Sequence, residues 1–136
     1  MSKVIGIDYG KKRIGIAISD IDQKIAFPLI TVENNKAIEI LKKIIESEKV
    51  ASIVVGVPIN LDGSNTDATE MCFKFHLRLK KEFPKINHFV EDERLTSKLA
   101  KRFLNHSDKK KQRGNKKNVD KISASIILEN FLIGLN

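Results

Sequence analysis

Apolar residues recur at two different periods along this chain, and the change of period marks out its elements. Val4, Ile5 and Ile7 lead into a polar run from Gly10 to Arg13. Ile14, Ile16 and Ile18 then alternate with smaller residues. Period two in β-branched residues predicts two strands, with Gly10, Lys11, Lys12 and Arg13 supplying a tight turn. Residues 24–33 read as a third strand, in which Pro28 argues for an edge position or a bulge because it has no N–H to donate. Three strands joined by short polar turns make an antiparallel meander. The period then changes. Ala37, Ile38, Ile40, Leu41, Ile44 and Ile45 fall at helical spacing up to about residue 48, with Asn34 or Asn35 placed to cap the helix. The unbroken apolar run at 51–58 is the pattern of a strand covered on both faces, as in a parallel sheet.

The second half repeats the alternation of strand and helix. A loop of turn formers, 59–67, carries Asn60, Asp62, Ser64, Asn65 and Thr66 at the end of the buried strand, where open α/β sheets hold their ligands. Asp67 with Glu70 resembles a capping box, and the helix behind it runs to about Phe83 with Met71, Phe75, Leu77 and Leu79 inward. Residues 86–90 read as a strand ending in Glu91, Asp92 and Glu93. Thr96 caps a predicted helix through Leu104. Residues 105–118 have almost no apolar residue and read as a mobile loop. Residues 119–135 read as a closing helix with the stripe Ile122, Ile126, Ile127, Phe131, Leu132, and Ser123, Ala124 and Ser125 let it lie close against its support. With no internal repeat and no linker, the chain is expected to be one α/β domain over residues 1–136.

Composition narrows the setting. A chain of 136 residues buries about two-thirds of its unfolded surface, so neither a disulfide nor a structural metal is needed for stability. The single cysteine, Cys72, excludes an intramolecular disulfide, suits the cytoplasm, and is expected to pack as a small hydrophobe. His76 has no partner at metal-ligand spacing. No apolar run is long enough to span a membrane, and no signal-peptide core opens the chain.

Charge is concentrated. The net charge is +8, and residues 98–121 hold ten Lys and Arg against Asp108 and Asp120, which is also +8. The other 112 residues carry fifteen charges of each sign. One basic segment holding the whole excess is what a phosphate backbone attracts, although charge runs are often only solvated surface. Lys109, Lys110, Lys111, Arg113, Lys116 and Lys117 are its candidate phosphate contacts.

Five acids are harder to place. Asp8 interrupts an apolar strand, where an isolated charge costs several kcal/mol unless paired. Glu91, Asp92 and Glu93 repel one another at a strand end. Asp120 opens the closing helix, where the helix dipole alone would favour it. A sheet with a central first strand brings Asp8, the Asp92–Glu93 pair and Asp120 to one end. Oxygen donors without Cys or His suit Mg²⁺ or Mn²⁺, and two such ions about 4 Å apart clamp the attacking water and the leaving oxygen of a phosphodiester. Lys12, Arg13 and Arg94 lie near enough in sequence to these acids to touch phosphates.

The stretches GIDYGKKRIGIA, IVVGVPINLDGS, DERLTSKLA and VDKISASIILENFL resemble, in order and over nearly the whole chain, the four motif blocks of the YqgF/RuvX family. The resemblance implies an RNase H-like fold, a five-stranded mixed sheet flanked by helices, similar to Holliday-junction resolvases of the RuvC type. It implies a metal-dependent nuclease that processes the 5′ end of pre-16S rRNA, with Asp8, Glu93 and Asp120 as its catalytic, metal-binding acids. Glu93 is favoured over Asp92. The expected partners are structured RNA or branched DNA, with no membrane, and the chain acts as a monomer or homodimer. The alternatives are a resolvase cutting four-way DNA and a basic RNA-binding assembly factor without catalysis. A sugar-kinase or actin-like ATPase also opens with an Asp-x-Gly strand turn, but needs two such domains.

Overall fold

The computed structural model describes residues 2–60, 62–93 and 116–135, with side chains from residue 119 onward in the last segment. Five strands form one mixed sheet: β1 (Lys3–Asp8), β2 (Arg13–Ser19), β3 (Ala26–Glu33), β4 (Val50–Val57) and β5 (Asn87–Asp92), in the order β3-β2-β1-β4-β5. β1 is central. It pairs antiparallel with β2 and parallel with β4, and β5 adds a further parallel edge. The meander and the buried parallel strand are therefore as the apolar pattern predicts. Pro28 meets both expectations at once. It lies on edge strand β3, where the register with β2 slips between Ile16 and Ala17 and leaves Leu29 unpaired.

Helices α1 (Ala37–Ser47) and α2 (Asp67–Glu82) are the crossovers that carry the chain from β3 to β4 and from β4 to β5. They cover a dense core in which Ile5, Ile7, Ile14, Ile16, Ile53 and Val55 meet Leu41, Phe75 and Leu79. Helix α3 (Lys116–Leu135) lies on the other face, over Val4, Ala17 and Val54, through Ala124, Leu128 and Leu132.

Several local expectations are corrected. Arg13 begins β2 and is not part of the turn. Neither Asn34 nor Asn35 caps α1. They form a 3-10 turn, Asn34–Lys36, and the Asn34 amide donates instead to the Gly10 carbonyl at 2.7 Å. The capping box of α2 is Thr66 with Thr69, one residue before the expected Asp67–Glu70 pair. The Thr69 hydroxyl also donates to the Pro58 carbonyl, tying the helix start to the end of β4. Leu77 is 60% exposed, because the buried stripe of α2 runs through Cys72, Phe75 and Leu79 and points Leu77 the other way. The closing helix already contains Lys116, Lys117 and Asn118, so these are helical and Asp120 stands beyond the first described turn. The predicted helix at 96–104 and the rest of the basic loop lie outside the described residues.

Candidate active site

Strand alternation decides which side chains of β1 face α3. Ile5 and Ile7 enter the dense core, so Val4, Gly6 and Asp8 face the opposite way, toward the single helix. The same face of the neighbouring strands is nearly bare. Asp8 pairs across β1–β2 with Gly15, and a Cβ added at Gly15 would collide with the backbone carbonyl of Asp120. A Cβ on Gly6 would stand 2.6 Å from the Cβ of Leu128 and 2.9 Å from the Ala124 carbonyl. Glycine at these positions lets α3 settle onto the sheet and sets Asp120 above the Asp8–Gly15 pair. This is the close backbone approach that a glycine inside a strand marks.

Glu93 arrives from the other side. It follows the last residue of β5, and its N–H donates to the Val57 carbonyl at 3.1 Å, which extends the parallel ladder by one bond. Its side chain folds over Gly56, where an added Cβ would lie 2.9 Å from Oε2. Glu93 is 6% exposed, and its Oε2 is buried with no hydrogen-bond partner. Of the Asp92–Glu93 pair, Glu93 is the one turned inward; Asp92 is exposed.

The acids feel one another. Burial, then the charge of Asp120, pushes the Asp8 carboxyl up from 3.8 to about 7. Burial, then the charges of Asp8 and Asp92, pushes Glu93 up from 4.5 to about 8. Cys72, packed in the core as expected, is pushed up to about 12 by burial and by the charges of Glu93 and Asp8. Asp120 is held differently: Arg13 Nε donates to its Oδ2 at 3.0 Å. Among the described residues no three His, Cys, Asp or Glu side chains are grouped to hold an ion. The acids thus share one end of the sheet, but their carboxyl groups have not closed into a ligand set. Asp120 is paired instead with the Arg13 guanidinium.

These residues fit a hard divalent cation. The donors are oxygens only, the carboxyls of Asp8 and Glu93 are pushed up to about 7 and about 8 so that a cation would favour their ionised forms, and Oε2 of Glu93 is buried with no hydrogen-bond partner.

The predicted nucleic-acid contacts divide. Lys12 is exposed on the β1–β2 turn, close to Asp8 in the chain. Arg13 is partly buried and committed through Nε to Asp120, a partner 107 residues away that sequence spacing cannot reveal. Arg94, Lys109, Lys110, Lys111 and Arg113 lie outside the described residues, and Lys116 and Lys117 are described in backbone alone. Gly15 and Gly56 are missed by a search for chemical side chains. Their signal is a glycine inside an apolar strand, one on each side of Asp8.

A family profile described as RuvX, Holliday junction resolvase, matches residues 2–133. A protein of Amoebophilus asiaticus is 42% identical over 133 residues, covering 97% of this chain and 94% of its own. One from Rickettsia akari is 43% identical over 135 residues, covering 96% and 86%. Both bear the provisional name pre-16S rRNA nuclease. Thermus thermophilus RuvC, solved with a Holliday junction substrate, superposes with a TM-score of 0.57 at 10% identity, over 100% of this chain and 97% of its own. A second structure of that protein gives 0.52 at 13% identity, over 98% and 96%. At such identities the likeness shows a shared RNase H-like fold.

Proposed function

The chain belongs to the RuvX family, and from that premise we propose that it is a metal-dependent nuclease that trims the 5′ end of pre-16S rRNA. The single observation that supports this reading is the placement of Asp8, Glu93 and Asp120 toward one end of the sheet, with two carboxyls pushed up to about 7 and 8 and one buried oxygen unpartnered. Asp8, on the central strand between the other two, would hold Mg²⁺ or Mn²⁺ together with Glu93, and Asp120 would complete the set after leaving Arg13. When bound, one or two such ions polarise the phosphodiester and activate the attacking water.

The chain's own residues do the rest. Gly15 and Gly56 remove side chains from the floor of the site, which leaves room for the Asp120 backbone and the Glu93 carboxyl on either side of Asp8. Arg13 holds Asp120 in the meantime and offers a cation to the phosphate once Asp120 turns away. Lys12, Lys116 and Lys117 and, outside the described residues, Arg94, Lys109, Lys110, Lys111 and Arg113 neutralise the backbone. The domain acts alone or as a homodimer over residues 1–136, in the cytoplasm. No described helix is long and apolar enough to cross a membrane.

The family description favours a second reading, resolution of four-way DNA. Side-by-side incubation of a pre-16S 5′-leader RNA and a synthetic DNA junction, each with Mg²⁺ and Mn²⁺, decides between them. Cleavage of the leader at a defined position is expected. Cleavage of the junction alone would establish the second reading. Metal-independent binding of RNA without a cut by either ion would replace both with an assembly factor.

A further inference from the structure

A groove of about 730 Å³ opens on the α1 side of the sheet, between the β1–β2 turn and β3. Lys11, Lys12 and Arg13 from the β1–β2 turn line it, together with Lys36 from the 3-10 turn and Ile30 and Val32 from β3. Four cations face it against one carboxylate, Glu33. The groove is built, because Asn34 ties its two walls together: its backbone N–H donates to the Lys12 carbonyl at 2.9 Å and its side-chain amide to the Gly10 carbonyl at 2.7 Å. Arg13 belongs to both places, lining the groove while its Nε holds Asp120. Val32 and Ile40 belong to the α1 side of the sheet and Asp120 to the α3 side, so Arg13, at the start of β2, is the link between the groove and the carboxylates.

We propose that this groove is a track for the substrate strand: the RNA backbone flanking the scissile phosphate lies between Lys11, Lys12 and Lys36, with sugars or bases against Ile30. This rests on the nuclease reading and adds a second basic surface, far in sequence from the basic segment that precedes Asp120. The cations come from two walls of the groove, the β1–β2 turn and the 3-10 turn. The apolar lining gives the uncharged faces of the nucleotides a surface to cover. Lys36 is the residue that distinguishes the track, since it lies outside the turn that follows Asp8.

The test compares wild type, Lys11→Gln/Lys36→Gln and a control, Lys42→Gln/Lys43→Gln, whose lysines are exposed on α1 outside the groove. Each is titrated with the leader RNA and with the DNA junction over a range of salt, and cleavage is followed in parallel. The groove variant is expected to bind RNA roughly tenfold more weakly at low salt, with the log–log salt slope flattened by about 1.4 for two lost phosphate contacts. KM should rise while kcat stays near wild type, and the control should match wild type. Groove and control variants that bind and cut RNA like wild type would overturn the track and leave the nuclease reading standing. A groove variant weakened on the junction alone would overturn the RNA assignment. A wild-type protein that neither binds nor cuts either substrate would remove the nuclease reading and the track with it.

Discussion

The two faces of the sheet are built from different materials. Under α1 and α2 the strands present Ile5, Ile7, Ile14, Ile16, Ile53 and Val55, all fully buried. Under α3 the same strands present Gly6, Gly15, Ala17, Val54 and Gly56, and α3 answers with Ser123 and Ala124. The first face removes a large apolar area from water and supplies most of the hydrophobic stabilisation. The second gives up side-chain volume so that a helix backbone can approach. What that thin face gains is position, since Asp120 comes to rest over Asp8. On the proposed reading, stability and chemistry are divided between opposite sides of one sheet.

The sharpest break leaves the thick face untouched. Asp8→Asn keeps the side-chain shape but removes the charge, and should lower cleavage by about a thousandfold or more. Circular dichroism and the thermal midpoint should stay near or above those of wild type, because a carboxyl pushed up to about 7 by burial is replaced by a neutral amide. Wild-type cleavage by this variant would remove Asp8 from the site.

A paired measurement sets the faces against each other. Leu41→Ala on the thick face should cost about 2–5 kcal/mol of stability. At temperatures where the variant remains folded, its kcat should be close to wild type. Gly15→Ala on the thin face should cost about 1–3 kcal/mol through overpacking, and should also depress kcat, because the new methyl group pushes against the Asp120 carbonyl. Denaturant melts and single-turnover cleavage of both variants give the comparison. Equal kcat losses in the two would mean that the thin face has no special part in placing Asp120.

How much of this is legible in the sequence follows from range. Period two and period 3.6 are local, so the five strands, the edge position of Pro28 and the covering of β4 on both faces can all be read before any coordinates. The burial of Ala124 follows likewise from the run of small residues. The Thr66–Thr69 cap is hidden because Thr at both positions lacks the acidic signal that Asp67 and Glu70 offer more loudly. Leu77 looks inward by hydrophobicity, and only the phase set by Cys72, Phe75 and Leu79 turns it out. The acids Asp8, Glu93 and Asp120 stand out because each is awkward where it lies. The Arg13–Asp120 pair, the glycines beneath α3 and the tie from Asn34 to Gly10 join distant parts of the chain, and nothing local announces them.

The pH dependence of the metal-free protein sharpens the comparison further. Asp8 and Glu93 hold protons in the folded state that the unfolded chain releases near pH 4. Between about pH 4 and pH 8 the folded state therefore binds more protons, and stability falls as pH rises, by on the order of a few kcal/mol. Urea melts in a chelator should show this decline levelling off above pH 8, and Glu93→Gln should flatten it. A stability that instead rises over this range would mean that the two carboxyls are already ionised and paired.

The smallest effect concerns the latch. Arg13→Gln frees Asp120 and removes a partly exposed ion pair, at a cost of about 0.2–1 kcal/mol. Affinity for Mn²⁺ should rise a few-fold, because a competing cation has gone from the same carboxylate, while RNA affinity falls. Calorimetric Mn²⁺ titration of the two proteins reads the difference, and a weaker metal affinity in the variant would show that Arg13 orders Asp120 for the ion.

The central claim is that the thin face ends in a metal site made by Asp8, Glu93 and Asp120. Anomalous diffraction from crystals grown with Mn²⁺ tests it most directly. The account predicts an anomalous peak within coordination distance of Asp8 and Glu93, roughly 2 Å, with the Asp120 carboxylate turned from Arg13 toward the ion. A saturated crystal with no peak at these carboxylates, or with manganese bound only elsewhere, would contradict it.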